Sequence, residues 1–386
     1  MFKVLILDSI GISAKWLEEF ADTKYIDVIG TITPQEPVSK VLLNQDAWDW
    51  LLIFERGERQ IFDEFIQTLR LPFDKVIYAL DMYSWLQHSK AAYKLINPHT
   101  RGLSVFVYLN FILSRQLNDF VACTVDGLSY VATSNDDYIM RIMYTERMNF
   151  AANNMKRFQA LAKKFYGVDD SAGYFLDLGA NIGTTGIYFT KKLAPNLKLL
   201  AFEPDADNFK LLRINLLLND LDDDKVVAVN CGLGDQFDEI TLYRNLYNPG
   251  ANSIFQYKND MPTATIITVP LDICLAEYKI AAHEVKYIWL DTEGFEAQVL
   301  LGAKNLLAEN PAPIFMECNL TSWKESAKFE PLMNLLENYY SHFILFKDDK
   351  ETLYPLDALR TIAPPLYHPW GQIGDIFLIK HGANID

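Results

Sequence analysis

Cysteine is scarce in this chain: four in 386 residues, at Cys123, Cys231, Cys274 and Cys318, with no C-x-x-C pair. That excludes a disulfide scaffold and a cysteine zinc cluster, and it suits a reducing, cytoplasmic setting. Positive charge is short as well. The 35 Lys plus Arg face 50 Asp plus Glu, a formal charge of -15, and no long basic run occurs. Affinity built on neutralising a nucleic-acid backbone or an anionic membrane is therefore not expected. Long apolar runs are missing too: Val4 to Leu7 is interrupted by Asp8, far short of the ~20 residues a bilayer span needs, so no secretion or anchoring signal is expected. No internal repeat and no low-complexity segment is present. What remains is 50% apolar and 22% charged residues, the balance of a globular chain. At roughly 150 residues per domain the length allows two to three units, each able to bury a core.

In the first half, Val4–Leu7, Tyr25–Ile29, Trp50–Phe54 and Lys75–Leu80 read as strands, with helical candidates at Ser13–Phe20 and Arg59–Leu69. Strands alternating with helices favour a parallel sheet covered on both faces, an α/β unit over residues 1–120. Asp8 and Asp81 follow strands, where such a sheet places its binding crevice. Asp8-Ser9-Ile10-Gly11 lacks the spacing of a dinucleotide loop, so turn and helix-cap roles are the plainer reading. Residues 121–170 read as a connecting segment, with a short strand at Gly127–Ala132 and a lead-in helix over Asn149–Phe165. Ala151, Met155, Phe158, Ala162 and Phe165 recur there at helical spacing and predict a core face. A second domain then occupies 171–386.

Its sharpest signal is Asp177-Leu178-Gly179-Ala180-Asn181-Ile182-Gly183, a strand end, a glycine turn and a helix start. Gly179 and Gly183 could let the backbone approach a ligand that a β-carbon would obstruct. Asp177 repels a pyrophosphate but accepts a hydrogen bond from an ammonium or hydroxyl, so the loop fits an amino acid-nucleoside better than a dinucleotide. Glu203, in Phe202-Glu203-Pro204 at the end of the next strand, is placed to accept both hydroxyls of a ribose; the rival reading is a helix N-terminal acid before Pro204. A third strand, Val226–Asn230, ends near Cys231–Asp235, where Asn230 or Asp235 could meet an adenine edge or simply serve the turn.

Val285–Leu290 predicts a further strand, and its end carries Asp291-Thr292-Glu293-Gly294-Phe295-Glu296 before a helical stretch from Ala297 to Leu307. Pro313–Asn319 repeats the pattern with Glu317. Asp291, Glu293 and Glu317 could share one sheet edge and orient an acceptor, act as general base or hold a divalent ion. Alternatively Glu293 and Glu296 cap the following helix and Glu317 pairs with an interior Arg. His283 precedes its strand and belongs at the opposite edge, whereas His368 lies in a stretch able to fold over a pocket.

These ordered pieces resemble the FkbM-type methyltransferases, within the S-adenosylmethionine-dependent enzymes. The resemblance rests on Asp177–Gly183, on Phe202-Glu203-Pro204 with Leu212 and Asn215 to Asn219, and on Leu290–Glu296 with Val299-Leu300, Gly302-Ala303 and Glu317. It spans roughly residues 145 to 380. It implies a Rossmann-like class I methyltransferase sheet, here preceded by a smaller α/β domain, and O-methylation of a hydroxyl on a small molecule or sugar. Asp177, Gly179, Asn181 and Gly183 would then surround the methionine part of S-adenosylmethionine, Glu203 the ribose, with Asp235 near the adenine. Asp291 or Glu293 would be the base, without a resident metal. Thr292 stands where family members commonly carry Val. The first domain has no counterpart in the minimal family pattern and is expected to select the acceptor or mediate assembly, a homo-oligomer included. Two other readings compete: a non-catalytic binding or assembly protein that keeps this fold, and a nicotinamide-dependent oxidoreductase, whose loop ordinarily lacks an acid at the Asp177 position.

Overall fold

The computed structural model describes residues 2–8, 26–32, 50–54, 76–78, 111 and 118–385, apart from 222–223, 247, 257–260, 348–349 and 365–371. The chain forms two compact units, Met1–Ser114 and Arg115–Asp386. In the first, β1 (Phe2–Asp8), β2 (Ile26–Ile32), β3 (Trp50–Phe54) and β4 (Val76–Tyr78) make a parallel sheet in the order β2-β1-β3-β4. Leu5, Ile6, Leu51 and Ile53 are buried in its central strands, as β-rich apolar runs covered on both faces require. The two helices expected here, and Asp81, lie outside the described residues.

The second unit opens with a hairpin, β5 (Phe120–Val125) and β6 (Leu128–Thr133), turned at Asp126-Gly127, both in the left-handed region. Helices α1 (Ile139–Glu146) and α2 (Ala152–Tyr166) follow. Met155, Phe158, Ala162 and Phe165 of α2 are buried as their spacing predicts, and Gly167 ends the helix at φ 64°, its N–H donating to Lys163 O. Phe158 packs its ring on Tyr287, Phe315 and Phe377, with centroids 5.4, 5.7 and 5.9 Å away. The segment read as a connector thus covers one face of the main sheet.

The remaining elements are, in chain order, β7 (Tyr174–Leu178), α3 (Thr184–Tyr188), β8 (Lys198–Phe202), α4 (Ala206–Leu218), β9 (Val226–Val229), β10 (Gly232–Leu233), β11 (Asp238–Tyr243), β12 (Thr263–Val269), α5 (Leu271–Glu277), β13 (Val285–Leu290), α6 (Glu296–Leu301), α7 (Lys304–Glu309), β14 (Ile314–Asn319), α8 (Leu320–Glu325), α9 (Phe329–Leu336), β15 (Tyr340–Lys347), β16 (Lys350–Pro355) and β17 (Gln372–Lys380). Eight strands form the sheet β16-β15-β17-β14-β13-β7-β8-β9, while β10-β12-β11 make a small separate one. From β14 to β9 the neighbours run parallel; β17, β15 and β16 add antiparallel pairs. This is the mixed, Rossmann-like α/β sheet expected. The chain starts at β7 and winds outward to β8 and β9, then returns to β13 on the other side. The loops after β7 and β13 therefore diverge at a topological switch point, where open α/β sheets bind ligands. Among the described residues no helix is long and apolar enough to cross a membrane.

Candidate functional site

The loop after β7 takes its shape from backbone contacts. Gly179 N and Ala180 N both donate to Phe202 O, at 3.1 and 2.8 Å, and Gly183 N donates to Ala180 O at 2.7 Å. Gly179 stands at φ 97° and Gly183 at φ 88°, in the region that favours glycine. A β-carbon on Gly179 would lie 1.8 Å from Asp291 O, and one on Gly183 would lie 2.6 Å from Leu212 Cδ1. Both glycines thus make room for neighbouring protein, which differs from the expected clearance for a ligand.

Asp177 also differs from its expected place. It is 1% exposed, lines neither cavity described below, and its Oδ2 accepts from Gly186 N at 2.8 Å, tying β7 to the first turn of α3. Its Oδ1 has no partner, and burial pushes its carboxyl up to about 7. A strand-tip acid followed by a tight turn faces the amides of the next helix before it faces solvent, so it shapes the loop.

Glu203 sits where the sequence suggests, at the end of β8. Oε2 accepts from Asn181 N and Oε1 from Asp205 N, each at 2.8 Å. Burial raises its carboxyl to about 8 against those backbone bonds. It borders a cavity of about 620 Å³ whose apolar walls include Leu233, Leu242, Ile266 and Phe295. Asn181, in the left-handed region at φ 48°, lines the same cavity, and both atoms of its amide are buried without a partner. Asn230 turns instead to its neighbours, donating to Glu203 O and Pro204 O at 2.8 and 3.1 Å. Asp235 is not brought to the cavity: past β10 it forms an ion pair with Lys328, Nζ to Oδ2 2.5 Å.

A second cavity, of about 1190 Å³, opens on the other side of the β7 loop. Four acids border it, Asp291, Glu293, Glu317 and Asp375, together with the rings of Tyr138, Phe150, Trp289 and Phe315. Burial, followed by the charges of neighbouring carboxylates, pushes Asp291, Glu293 and Glu317 well above the usual carboxylate range. Burial raises Asp375 to about 6, opposed by the Asn154 Nδ2 hydrogen bond at 3.1 Å. Glu317 pairs with amides, accepting from Asn319 Nδ2 at 3.1 Å and Gln372 Nε2 at 2.7 Å, and among the described residues no Arg takes the interior role weighed above. Asp291, Glu293 and Glu317 each offer an oxygen within 4.8 Å of the others, close enough to share one divalent cation. The two cavities have Gly179, Asn181, Gly250, Asp291 and Glu293 in common, so both sequence-expected base candidates stand at their junction.

The pattern of the methyltransferase FkbM domain matches residues 177–343 of this chain. Over that stretch the second unit is similar to the methyltransferase FkbM domain. Among solved structures, a methyltransferase FkbM from Methylobacillus flagellatus KT is 13% identical, with 98% of this chain and 90% of that chain covered at a TM-score of 0.34. M. jannaschii TYW2 in complex with AdoMet is 11% identical over 68% of this chain and 86% of that one, TM-score 0.34. A precorrin-6y C5,15-methyltransferase from Geobacter metallireducens GS-15 is 10% identical over 58% and 86%, TM-score 0.30. No curated protein matches the chain significantly.

Several residues bordering the second cavity escaped the sequence reading. Tyr138, Phe150 and Asn154 come from the presumed connector, and Gln372 and Asp375 from the last strand. Asp375 left a trace, a carboxylate inside the apolar strand Ile373–Ile379. His283 lies in the short helical turn before β13, at the opposite strand end, and His368 lies outside the described residues.

Proposed function

We propose that the second unit is an S-adenosylmethionine-dependent O-methyltransferase acting on a hydroxyl of a small molecule or sugar. The observation that carries this reading is the pair of cavities meeting at Asp291 and Glu293, one with apolar walls and the Glu203 carboxylate suited to a nucleoside, the other acidic and aromatic. The donor set fits the cofactor: Glu203 keeps lone pairs for ribose hydroxyls, and the unpartnered Asn181 amide awaits polar groups. When bound, S-adenosylmethionine supplies a methyl group activated by a positive sulfonium.

The chain's own residues then have three tasks. Glu203, Asn181 and the apolar walls hold and orient the donor. Asp291 or Glu293 takes the proton of the acceptor hydroxyl, and a raised carboxyl pKa makes either a stronger base once ionised. The aromatic rings and Glu317 and Asp375 orient the acceptor, excluding water as they do so. The acids without ion-pair partners among the described residues also favour a positive charge beside them, and that charge in turn favours their ionised form. The first unit selects the acceptor or mediates assembly.

Calorimetry with S-adenosylmethionine and S-adenosylhomocysteine on wild type and Glu203→Ala tests the donor half. Saturable binding lost in the variant is expected, and a panel of hydroxylated acceptors assayed for methyl transfer follows. Folded wild type that binds neither ligand would sink the reading.

A further inference from the structure

Glu296 has 0% exposure, yet no Lys or Arg among the described residues is ion-paired with it. Its oxygens are occupied by donors from three elements. Oε1 accepts from Gly294 N at 2.9 Å, from Thr292 N at 3.2 Å and from Thr292 Oγ1 at 3.3 Å. Oε2 accepts from Trp323 Nε1 of α8 at 2.9 Å and from Asn319 Nδ2 at the end of β14 at 3.3 Å. The same Asn319 amide donates to Glu317 Oε2. One side chain therefore fixes the backbone on both sides of Glu293 and, through one shared amide, is linked to Glu317.

The turn it fixes is strained. Glu293 sits at φ 52° and Gly294 at φ 102°, and a non-glycine residue in that region holds its conformation only when its surroundings over-determine it. Ser253 Oγ adds a bond to Glu293 O at 2.8 Å from outside the turn. A helix-capping acid needs only the amides of its own first turn, whereas Trp323 and Asn319 lie far along the chain, and their bonds tie the tips of β13 and β14 together.

We propose that Glu296 is a positioning residue for the methyl-transfer centre, which holds Asp291, Glu293 and Glu317 in one constellation without touching substrate. The proposal rests on the cofactor reading above and adds to it a device that sets where the acids stand relative to the transferred methyl. The probe is sinefungin, the S-adenosylmethionine analogue with an amine-bearing carbon in place of the methylated sulfur, set against S-adenosylhomocysteine, which has no group there. A cationic amine at the cavity junction senses the acids, and the shared nucleoside part senses only the apolar cavity.

In Glu296→Gln one acceptor oxygen becomes an amide donor facing N–H donors, so the turn must rearrange. The expected result is sinefungin affinity reduced about tenfold, with S-adenosylhomocysteine affinity kept within about twofold. Wild-type affinities for both ligands in the variant would overturn the proposal, as would an equal loss of both in a folded variant, which would mark Glu296 as support for the pocket at large. Wild type binding neither ligand would remove the cofactor reading and this proposal with it. Should near-UV circular dichroism show Glu296→Gln unfolded, Trp323→Phe withdraws a single donor and is read by the same ratio, with a smaller selective loss of about threefold expected.

Discussion

Asn215 of α4 holds Val131 of β6 as a neighbouring strand would. Val131 N donates to Asn215 Oδ1 at 2.7 Å, and Asn215 Nδ2 returns a bond to Val131 O at 3.0 Å. One helical turn later Asn219 repeats the exchange with Ser129, at 2.9 and 2.7 Å. The match is geometric: four residues of helix rise ~6 Å, close to the rise of two residues of strand. Asn215 Nδ2 also reaches Ile182 O at 2.8 Å, so the hairpin edge and the β7 loop share one amide.

Replacing Asn215 by Leu leaves buried backbone groups of Val131 and Ile182 unpaired. Urea unfolding is expected to show a loss of about 2–4 kcal/mol, with weaker S-adenosylhomocysteine binding because the loop loses an anchor. Asn219→Ala leaves the Ile182 contact intact and is expected to cost about 1–2 kcal/mol with binding unchanged. Equal effects on binding from both variants would refute the shared-anchor argument.

Gly179→Ala would press a β-carbon into Asp291 O. Backbone has to move on both sides of the cavity junction, so a loss of more than about 3 kcal/mol in stability is expected, together with loss of S-adenosylhomocysteine binding. Gly167→Ala is the control: its φ is 64° but nothing lies within 4 Å, and about 1 kcal/mol is expected. Differential scanning calorimetry separates the two.

Carboxyl groups raised by folding make stability fall as pH rises. Asp375 at about 6, Asp177 at about 7 and Glu203 at about 8 all bind their protons more tightly folded than unfolded. Their contribution is complete below the unfolded carboxylate range, near pH 4, and is lost as pH climbs through those three values. The ligand-free protein is expected to lose on the order of a few kcal/mol between pH 5.5 and 8.5, with the partly exposed Asp375 contributing least. Denaturant midpoints that stay flat or rise across this window would contradict the burial argument.

Much of this was legible in the residues. The strand tips and their acids follow from short β-rich runs broken by glycine, and the chain order places them along one edge. Asp177 misled because a strand-tip carboxylate reads the same whether it meets a ligand or the amide of Gly186, and only the path of the helix decides. Tyr138 was illegible, and Asp375 showed only as a carboxylate in an apolar strand, because they meet the site by folding across 237 residues of chain, from Tyr138 to Asp375. Asn215 and Asn219 entered the sequence reading only through the family resemblance, and their partners in β6 lie 84 and 90 residues away.

Base function is tested at the junction itself. Once an acceptor is found, Asp291→Asn and Glu293→Gln are expected to slow single-turnover methyl transfer, the true base by about 10²-fold or more and its neighbour far less. Because burial and like charge raise both carboxyls, the wild-type rate should climb with pH above the ordinary carboxylate range, and the limb should vanish in the variant that removes the base. Unchanged rates in both variants would exclude these acids.

The two cavities share their junction residues but differ in their outer walls. The apolar cavity draws its residues from 179 to 295, whereas the acidic chamber adds walls from 138–154 and 372–375. Substitutions in those outer stretches reshape one chamber while the other stays intact. On the function proposed above, such an arrangement separates what is modified from how it is modified, since changes in a helix pair and a last strand need not disturb the glycine loop.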